Sequence, residues 1–138
     1  MIAELSLLLI DDDEIDRHAI TRVLHKSTVP CAVHHATTAA EGLEKASSTK
    51  FDAILLDYRL PDQNGLDVLR HLRGGAYDGV AVVMLSRFEN ESLAEECLEA
   101  GAQDFLLKDE VNSRHLTRVV LQARQRFQIE ERLSLIHI

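Results

Sequence analysis

The chain has 138 residues, enough for one domain that buries a substantial core without disulfides or a structural metal. Hydrophobic residues make up 46% and aromatic residues 4%, an ordinary balance for a soluble α/β domain, and a formal net charge of -8 disfavours direct nucleic-acid binding as the main activity. Cys31 and Cys97 stand in no metal spacing and read as reduced thiols of a cytoplasmic protein, while Met1–Ser6 has no secretory pattern and the longest apolar run, Leu7–Ile10, is too short for membrane insertion.

Leu5–Ile10 is a continuous apolar run that stops at acids, as a strand buried on both faces does. In Asp13–His25, Ile20, Val23 and Leu24 share one face at helical spacing. Ala32–Ala36 reads as a weaker strand. Thr38–Ser48 opens with Thr38 at a cap position and Glu41 three residues on, the pattern of a capping box. Ala53–Leu56 is a short strand ending at Asp57. Leu66, Leu69 and Leu72 repeat along a helix that Gly74–Gly75 stops. Val80–Leu85 is a fourth strand, ending at Ser86. Asn90–Ala100 carries Leu93, Ala94, Cys97 and Leu98 on one side, with Gly101 as its C-terminal stop. Phe105–Leu107 is the last strand, ending at Lys108, and Ser113 is the expected cap of a final helix reaching about Leu133.

Five alternations of strand and helix predict a (βα)5 doubly wound α/β fold, a parallel sheet with helices on both faces. No repeat, low-complexity stretch or linker precedes residue 124. Residues 1–124 therefore read as one domain, and 125–138 as a C-terminal extension of the last helix.

Asp11, Asp12 and Asp13 follow the first strand, Asp57 the third, Ser86 the fourth and Lys108 the fifth. All lie at carboxyl ends of parallel strands, the edge at which open α/β sheets bind ligands. Carboxylates gathered there repel one another, and a hard divalent cation relieves the repulsion. Magnesium suits such a set because it takes a few carboxylates and a carbonyl, keeps waters and shares phosphate oxygens. A serine hydroxyl and a lysine ammonium add donors for an anion. Together these groups serve phosphoryl transfer, with one carboxylate as nucleophile.

Four separated motifs, LLLIDDDE, ILLDYRLPDQNG, VVMLS and GAQDFLLKD, stand in the order and spacing of a known family. Over roughly residues 4–124 the chain resembles the receiver domain of two-component response regulators, the chemotaxis-regulator type among them. The resemblance implies the flavodoxin-like strand order 2-1-3-4-5. It implies Asp57 as phosphoacceptor and Asp11 and Asp12 as the acid pair. Mg²⁺ (or Mn²⁺) is then held directly by Asp12 and Asp57, through water by Asp11, and by the main-chain carbonyl of Arg59. Ser86 corresponds to the switch hydroxyl and Lys108 to the phosphate-pairing lysine. Phe105 corresponds to the aromatic that changes rotamer. Pro61 and Gly65 fit the turn leading away from the site. The implied function is a signalling switch, not an enzyme. A histidine kinase or phosphotransfer protein phosphorylates it, and the face built from helix 4, strand 5 and helix 5 then controls a downstream effector domain or protein.

Four residues depart from that pattern. Asp109 replaces the usual proline after the lysine, which predicts a trans Lys108–Asp109 bond, a different loop course and an extra negative charge near the phosphate. Arg87 stands where small residues are usual, and either contacts the phosphate or points to solvent. Arg59 and Phe88 occupy the variable positions two beyond Asp57 and Ser86. Their bulk is expected to restrict the attacking water and prolong the phosphoryl state. On helix 1, Ile15 lies opposite Ile20, Val23 and Leu24, so Ile15 and Ala19 form a candidate docking patch for the phosphodonor. None of the seven histidines has metal-ligand spacing, and all read as structural. In the tail, Leu116, Val119, Val120, Ala123, Phe127 and Leu133 approximate a stripe broken by Arg126 and Glu130, consistent with a homodimer helix or a linker. Two alternatives compete. One is a haloacid-dehalogenase-like phosphatase using Asp11 and Asp13 as its DxD. The other is an unphosphorylated receiver-like scaffold.

Overall fold

Leu7, Leu8, Leu9 and Ile10 are all fully buried, but they do not share a core. Successive side chains of a strand point to opposite faces of its sheet, and this strand is covered on both. The computed structural model describes residues 4–74 and 80–136. Its parallel sheet is built from β1 (Leu5–Ile10), β2 (Cys31–Ala36), β3 (Ala53–Asp57), β4 (Ala81–Ser86) and β5 (Asp104–Leu107) in the order β2-β1-β3-β4-β5. Helices α1 (Glu14–His25), α2 (Ala39–Ser48), α3 (Gly65–Gly74), α4 (Glu91–Glu99) and α5 (Ser113–Ile136) alternate with the strands. The (βα)5 fold and its strand order agree with the sequence reading.

One core holds Leu7, Leu9, Leu55, Val83 and Leu85 against Ile20 and Leu24 of α1 and Leu116 and Val120 of α5. The other holds Leu8, Ile10, Ile54, Leu56, Val82 and Met84 against Leu69 and Leu72 of α3 and Cys97 of α4. No helix among the described residues is long and apolar enough to cross a membrane.

Helix ends follow local chemistry, with two shifts from expectation. Thr38 caps α2, its Oγ1 accepting from Glu41 N at 3.1 Å, but Glu41 Oε1 reaches back to Thr37 N at 2.7 Å, one residue earlier than a capping box requires. Asn112, not Ser113, precedes α5 as its cap, and Asn112 Oδ1 accepts from His115 N at 3.0 Å. Asparagine serves this position as well as serine does. Leu98 also departs from expectation: it is exposed, because α4 presses only the row of Leu93 and Cys97 onto the sheet. Gly74 ends α3 as expected, and Gly75 lies outside the described residues.

At the amino-terminal edge of β4 and β5, Arg73 gathers main-chain oxygens. It donates to Val80 O at 2.7 Å, to Gly101 O at 2.9 and 3.1 Å, and to Gln103 Oε1 at 3.0 Å. Gln103 Oε1 also accepts from Val82 N at 2.8 Å. Gly101 is at φ 110°, and a Cβ there would stand 2.8 Å from Arg73 Nε, so only glycine suits the position. The Arg73 guanidinium also lies 5.0 Å from the ring centre of Phe127. The last helix is thus docked beyond residue 124, whereas Ile129 and Leu133 further along it are exposed.

Candidate functional site

The carboxyl edge of the sheet collects what the apolar strands exclude. β1 delivers Asp11, fully buried, and Asp12, exposed. β3 ends in Asp57, which is only 6% exposed. One oxygen from each of Asp11, Asp12 and Asp57 falls within 4.8 Å of the others. Gly65 makes room behind Asp57: a Cβ there would meet Asp57 O at 2.6 Å and Tyr58 Cα at 2.9 Å. The chain folds back at this point, with Gly65 N donating to Tyr58 O. Asp62, in the same loop, accepts from Ala39 N at 2.8 Å and Ala40 N at 3.0 Å, tying the loop to the start of α2.

Lys108 comes in from the end of β5. Its Nζ donates to Asp11 Oδ2 at 2.8 Å and Asp16 Oδ2 at 2.9 Å, and lies 3.2 Å from Asp57 Oδ2. Burial pushes the ammonium down, but hydrogen bonds to Asp11 and Asp16 and the charge of Asp57 more than offset this, so the lysine is held protonated. Burial pushes the Asp57 carboxyl up, and the charge of Asp11 adds to it. The Lys108 ammonium and the Arg59 N–H oppose them, and the carboxyl comes to about 6.

Ser86 is buried at the end of β4. Its Oγ donates to Phe88 O at 3.0 Å and accepts from Phe88 N at 3.2 Å, a local turn that occupies the hydroxyl. A cavity of about 320 Å³ opens over Asp57, and Asp12, Arg59, Ser86, Arg87 and Phe88 also line it. Arg59 lies 5.5 Å from the ring centre of Phe88, a cation–π contact across the mouth.

Arg87 is half in solvent and lines the cavity over Asp57, but its guanidinium is engaged elsewhere. It reaches α1, its Nη2 donating to Asp16 Oδ2 at 2.6 Å and Asp13 Oδ2 at 3.0 Å. Asp13 also caps α1 by accepting from Ile15 N and Asp16 N. Asp16 is the member that sequence reasoning passed over. Its signal was weak, an acid in the first turn of a helix, where acids are common. The only hint was that this helix starts at the edge where the other acids converge.

Other positions fall at or beyond the rim. Ile15 is 78% exposed and Ala19 is exposed, on the side of α1 away from the core. Phe105 is half-buried against the α3–α4 core and faces a separate cavity with Glu89, Ala94 and His115. There is no cis peptide among the described residues, and Lys108–Glu110 forms a 3-10 turn with Asp109 exposed. The trans Lys108–Asp109 bond agrees with the reading of the missing proline. His34 packs edge-on against Phe51, and His35 lies 3.2 Å from Thr21 Oγ1.

The donor set suits a hard divalent cation. Asp11, Asp12 and Asp57 offer only oxygen, and Asp13 and Asp16 add two more carboxylates beside them, against the cations Lys108 and Arg87. Carboxylates outnumber cations, and Mg²⁺ bound through oxygen would correct the imbalance.

Residues 7–121 match the model of the response regulator receiver domain. The chain belongs to that family. Curated relatives that the chain matches are response regulators and transcriptional regulatory proteins. The chain is 31% identical over 105 residues to the transcriptional regulatory protein LnrK of Bacillus subtilis, covering 76% of this chain and 47% of the relative. It is 34% identical over 104 residues to the nitrate/nitrite response regulator protein NarL of Escherichia coli, covering 75% and 48%. It thus spans about half the length of these curated relatives. Its fold is similar to that of the receiver domain of sensor histidine kinase PA1611 from Pseudomonas aeruginosa, at a TM-score of 0.77 and 25% identity, covering 89% of this chain and 99% of the other. That receiver was solved with a magnesium ion coordinated in its active site cleft. The match over most of the chain disfavours the phosphatase alternative, whose DxD pair would be Asp11 and Asp13.

Proposed function

We propose that this receiver domain accepts a phosphoryl group on Asp57 and that Asp11, Asp12, Ser86 and Lys108 are the residues that make this possible. The observation that carries the reading is the position of the Asp57 carboxylate, buried beside the acid pair and 3.2 Å from an ammonium that holds three carboxylates. An Asp57 oxygen attacks the phosphorus of a phosphohistidine on a histidine kinase or phosphotransfer protein. The new O–P bond forms as the donor P–N bond breaks, and the histidine nitrogen keeps the electron pair. Asp12, Asp57 and the Arg59 main-chain carbonyl would hold Mg²⁺ (or Mn²⁺), with Asp11 acting through water. The ion would supply charge neutralisation for the incoming phosphoryl oxygens.

Lys108 turns from the carboxylate to the phosphoryl group. Ser86 leaves Phe88 and donates to a phosphoryl oxygen, and Phe105 moves into the space this opens. The face of α4, β5 and α5 then changes its affinity for a downstream effector domain or protein. The exposed Ile15 and Ala19 support a docking patch for the phosphodonor's helices. The Arg59–Phe88 contact supports slow hydrolysis, because it narrows the approach of water to Asp57. Exposed Ile129 and Leu133 support a homodimer or linker role for residues 125–138. The domain assists its own phosphorylation and dephosphorylation but is otherwise a switch, and it acts in the cytoplasm.

The test is incubation with Mg²⁺ and a small acyl phosphate, followed by mass spectrometry of the modified residue. Label on Asp57, lost in Asp57→Asn and without Mg²⁺, is expected. Label on Asp11, or none under any condition, overturns the reading.

A further inference from the structure

Nothing in the acceptor chemistry uses Asp16, yet two cations meet on one of its oxygens. Lys108 Nζ donates to Asp16 Oδ2 at 2.9 Å and Arg87 Nη2 at 2.6 Å. These cations reach the pocket from different elements, Lys108 from the end of β5 and Arg87 from the end of β4. An ammonium has three N–H donors. Two of those of Lys108 go to Asp11 and Asp16, Asp57 lies 3.2 Å away, and the side chain is only 6% exposed. Arg87 is drawn to α1 by Asp16 and Asp13, although it lines the cavity over Asp57. A phosphoryl group arriving on Asp57 therefore finds Lys108 and Arg87 already held by a carboxylate.

We propose that Asp16 is a resting counter-ion that keeps Lys108 and Arg87 in place of the phosphoryl group, and that phosphorylation of Asp57 takes both cations from it. The proposal rests on the reading of Asp57 as phosphoacceptor. Like replaces like in this exchange, since each cation trades a carboxylate oxygen for a phosphoryl oxygen. Little packing opposes the motion of Arg87, because half of that side chain is already in solvent. Asp16 thus sets a threshold, and an anion on Asp57 has to outbid it. The exchange also unties α1 from the segment Ser86–Phe88. Occupancy of Asp57 is thereby felt at the surface of α1, where Ile15 stands next to Asp16. Asp16 is a positioning residue in this scheme and never touches the phosphoryl group.

Calorimetric titration of the full chain with beryllofluoride in Mg²⁺ tests the scheme, because this anion stands in for the phosphoryl group. Asp16→Asn keeps the side-chain volume and is expected to tighten binding, roughly threefold to tenfold. Arg87→Ala is expected to weaken it by a similar factor. A latch that merely stiffened the fold would move both variants the same way, since both break the Arg87–Asp16 ion pair. The opposite signs are therefore the diagnostic. Changes of the same sign, or no change in Asp16→Asn, overturn the proposal. Should Asp16→Asn fold poorly, Arg87→Ala alone decides, and unchanged or tighter binding in that variant sinks the idea. Wild-type protein and Asp57→Asn separate the two layers of inference. If the wild type does not bind, or Asp57→Asn still does, the acceptor reading fails and the counter-ion role falls with it. If Asp57 is required and Asp16→Asn has no effect, only the counter-ion role fails.

Discussion

At the amino-terminal edge of the sheet Arg73 donates to neutral oxygens, those of Val80, Gly101 and Gln103. At the carboxyl edge Lys108 is surrounded by charged ones, those of Asp11, Asp16 and Asp57. Carbonyl oxygens do not repel one another as carboxylates do, so one guanidinium satisfies them and the arrangement has no reason to change. Carboxylates in excess of their cations leave a site that another cation stabilises and another anion can rearrange. The same fold thus carries a clamp at one end and a switch at the other. These two sets of acceptors differ in charge, and both cations are well supplied with hydrogen bonds.

Substitutions should divide along this line. The largest effect is expected for Lys108→Ala, which leaves buried carboxylates without their cation. The metal-free domain should lose about 3–5 kcal/mol in urea unfolding, and Mg²⁺ should restore part of the loss. Arg73→Ala should cost about 2–3 kcal/mol through its unpaired buried acceptors, yet leave Mg²⁺ affinity and Asp57 labelling unchanged. A loss of labelling in this folded variant would break the separation of the two ends.

Asp57 gives the distinction a pH signature. Its folded carboxyl stands at about 6, above the ordinary value of 3.8. The folded state therefore binds the proton more tightly. The stability this contributes is fully present below pH 3.8 and is lost as pH rises through about 6. Asp57→Asn should then stabilise the metal-free domain at pH 7.5 by about 1–3 kcal/mol, with the gain vanishing near pH 4. A gain that persists at pH 4 would place its origin elsewhere. The smallest effect is kinetic. Phe88→Glu removes the aromatic partner of Arg59 and should shorten the phosphoryl lifetime about threefold to tenfold, a change of up to ~1.4 kcal/mol in the barrier. An unchanged lifetime measured by phosphate release would remove the shielding role.

Most of the fold was legible because four of the five strands are short apolar runs with a polar stop. Those four stops also located the site, since parallel strands end at one edge. The misses have physical causes. Leu98 matched the helical stripe of α4, but how many rows of a helix are buried depends on the width of the surface beneath it. Asn112 displaced Ser113 as a cap because both side chains suit the position and only the loop decides between them. Arg87 was read as a choice between phosphate and solvent, and its third option, Asp16, lies 71 residues away in the chain. Periodicity reports burial, and it is silent about which acids meet across a sheet edge. The Arg73 clamp was invisible for the same reason, since the Val80 and Gly101 oxygens it gathers belong to the backbone.

The comparison of the two ends is tested most directly by recording backbone amide resonances before and after beryllofluoride is added in Mg²⁺. The account predicts large shifts at Asp57, Ser86, Arg87 and Lys108 and on the α1 segment around Asp16, with Arg73, Val82 and Gln103 unmoved. Shifts of equal size at both ends of the sheet, or none at the carboxyl edge, would contradict it.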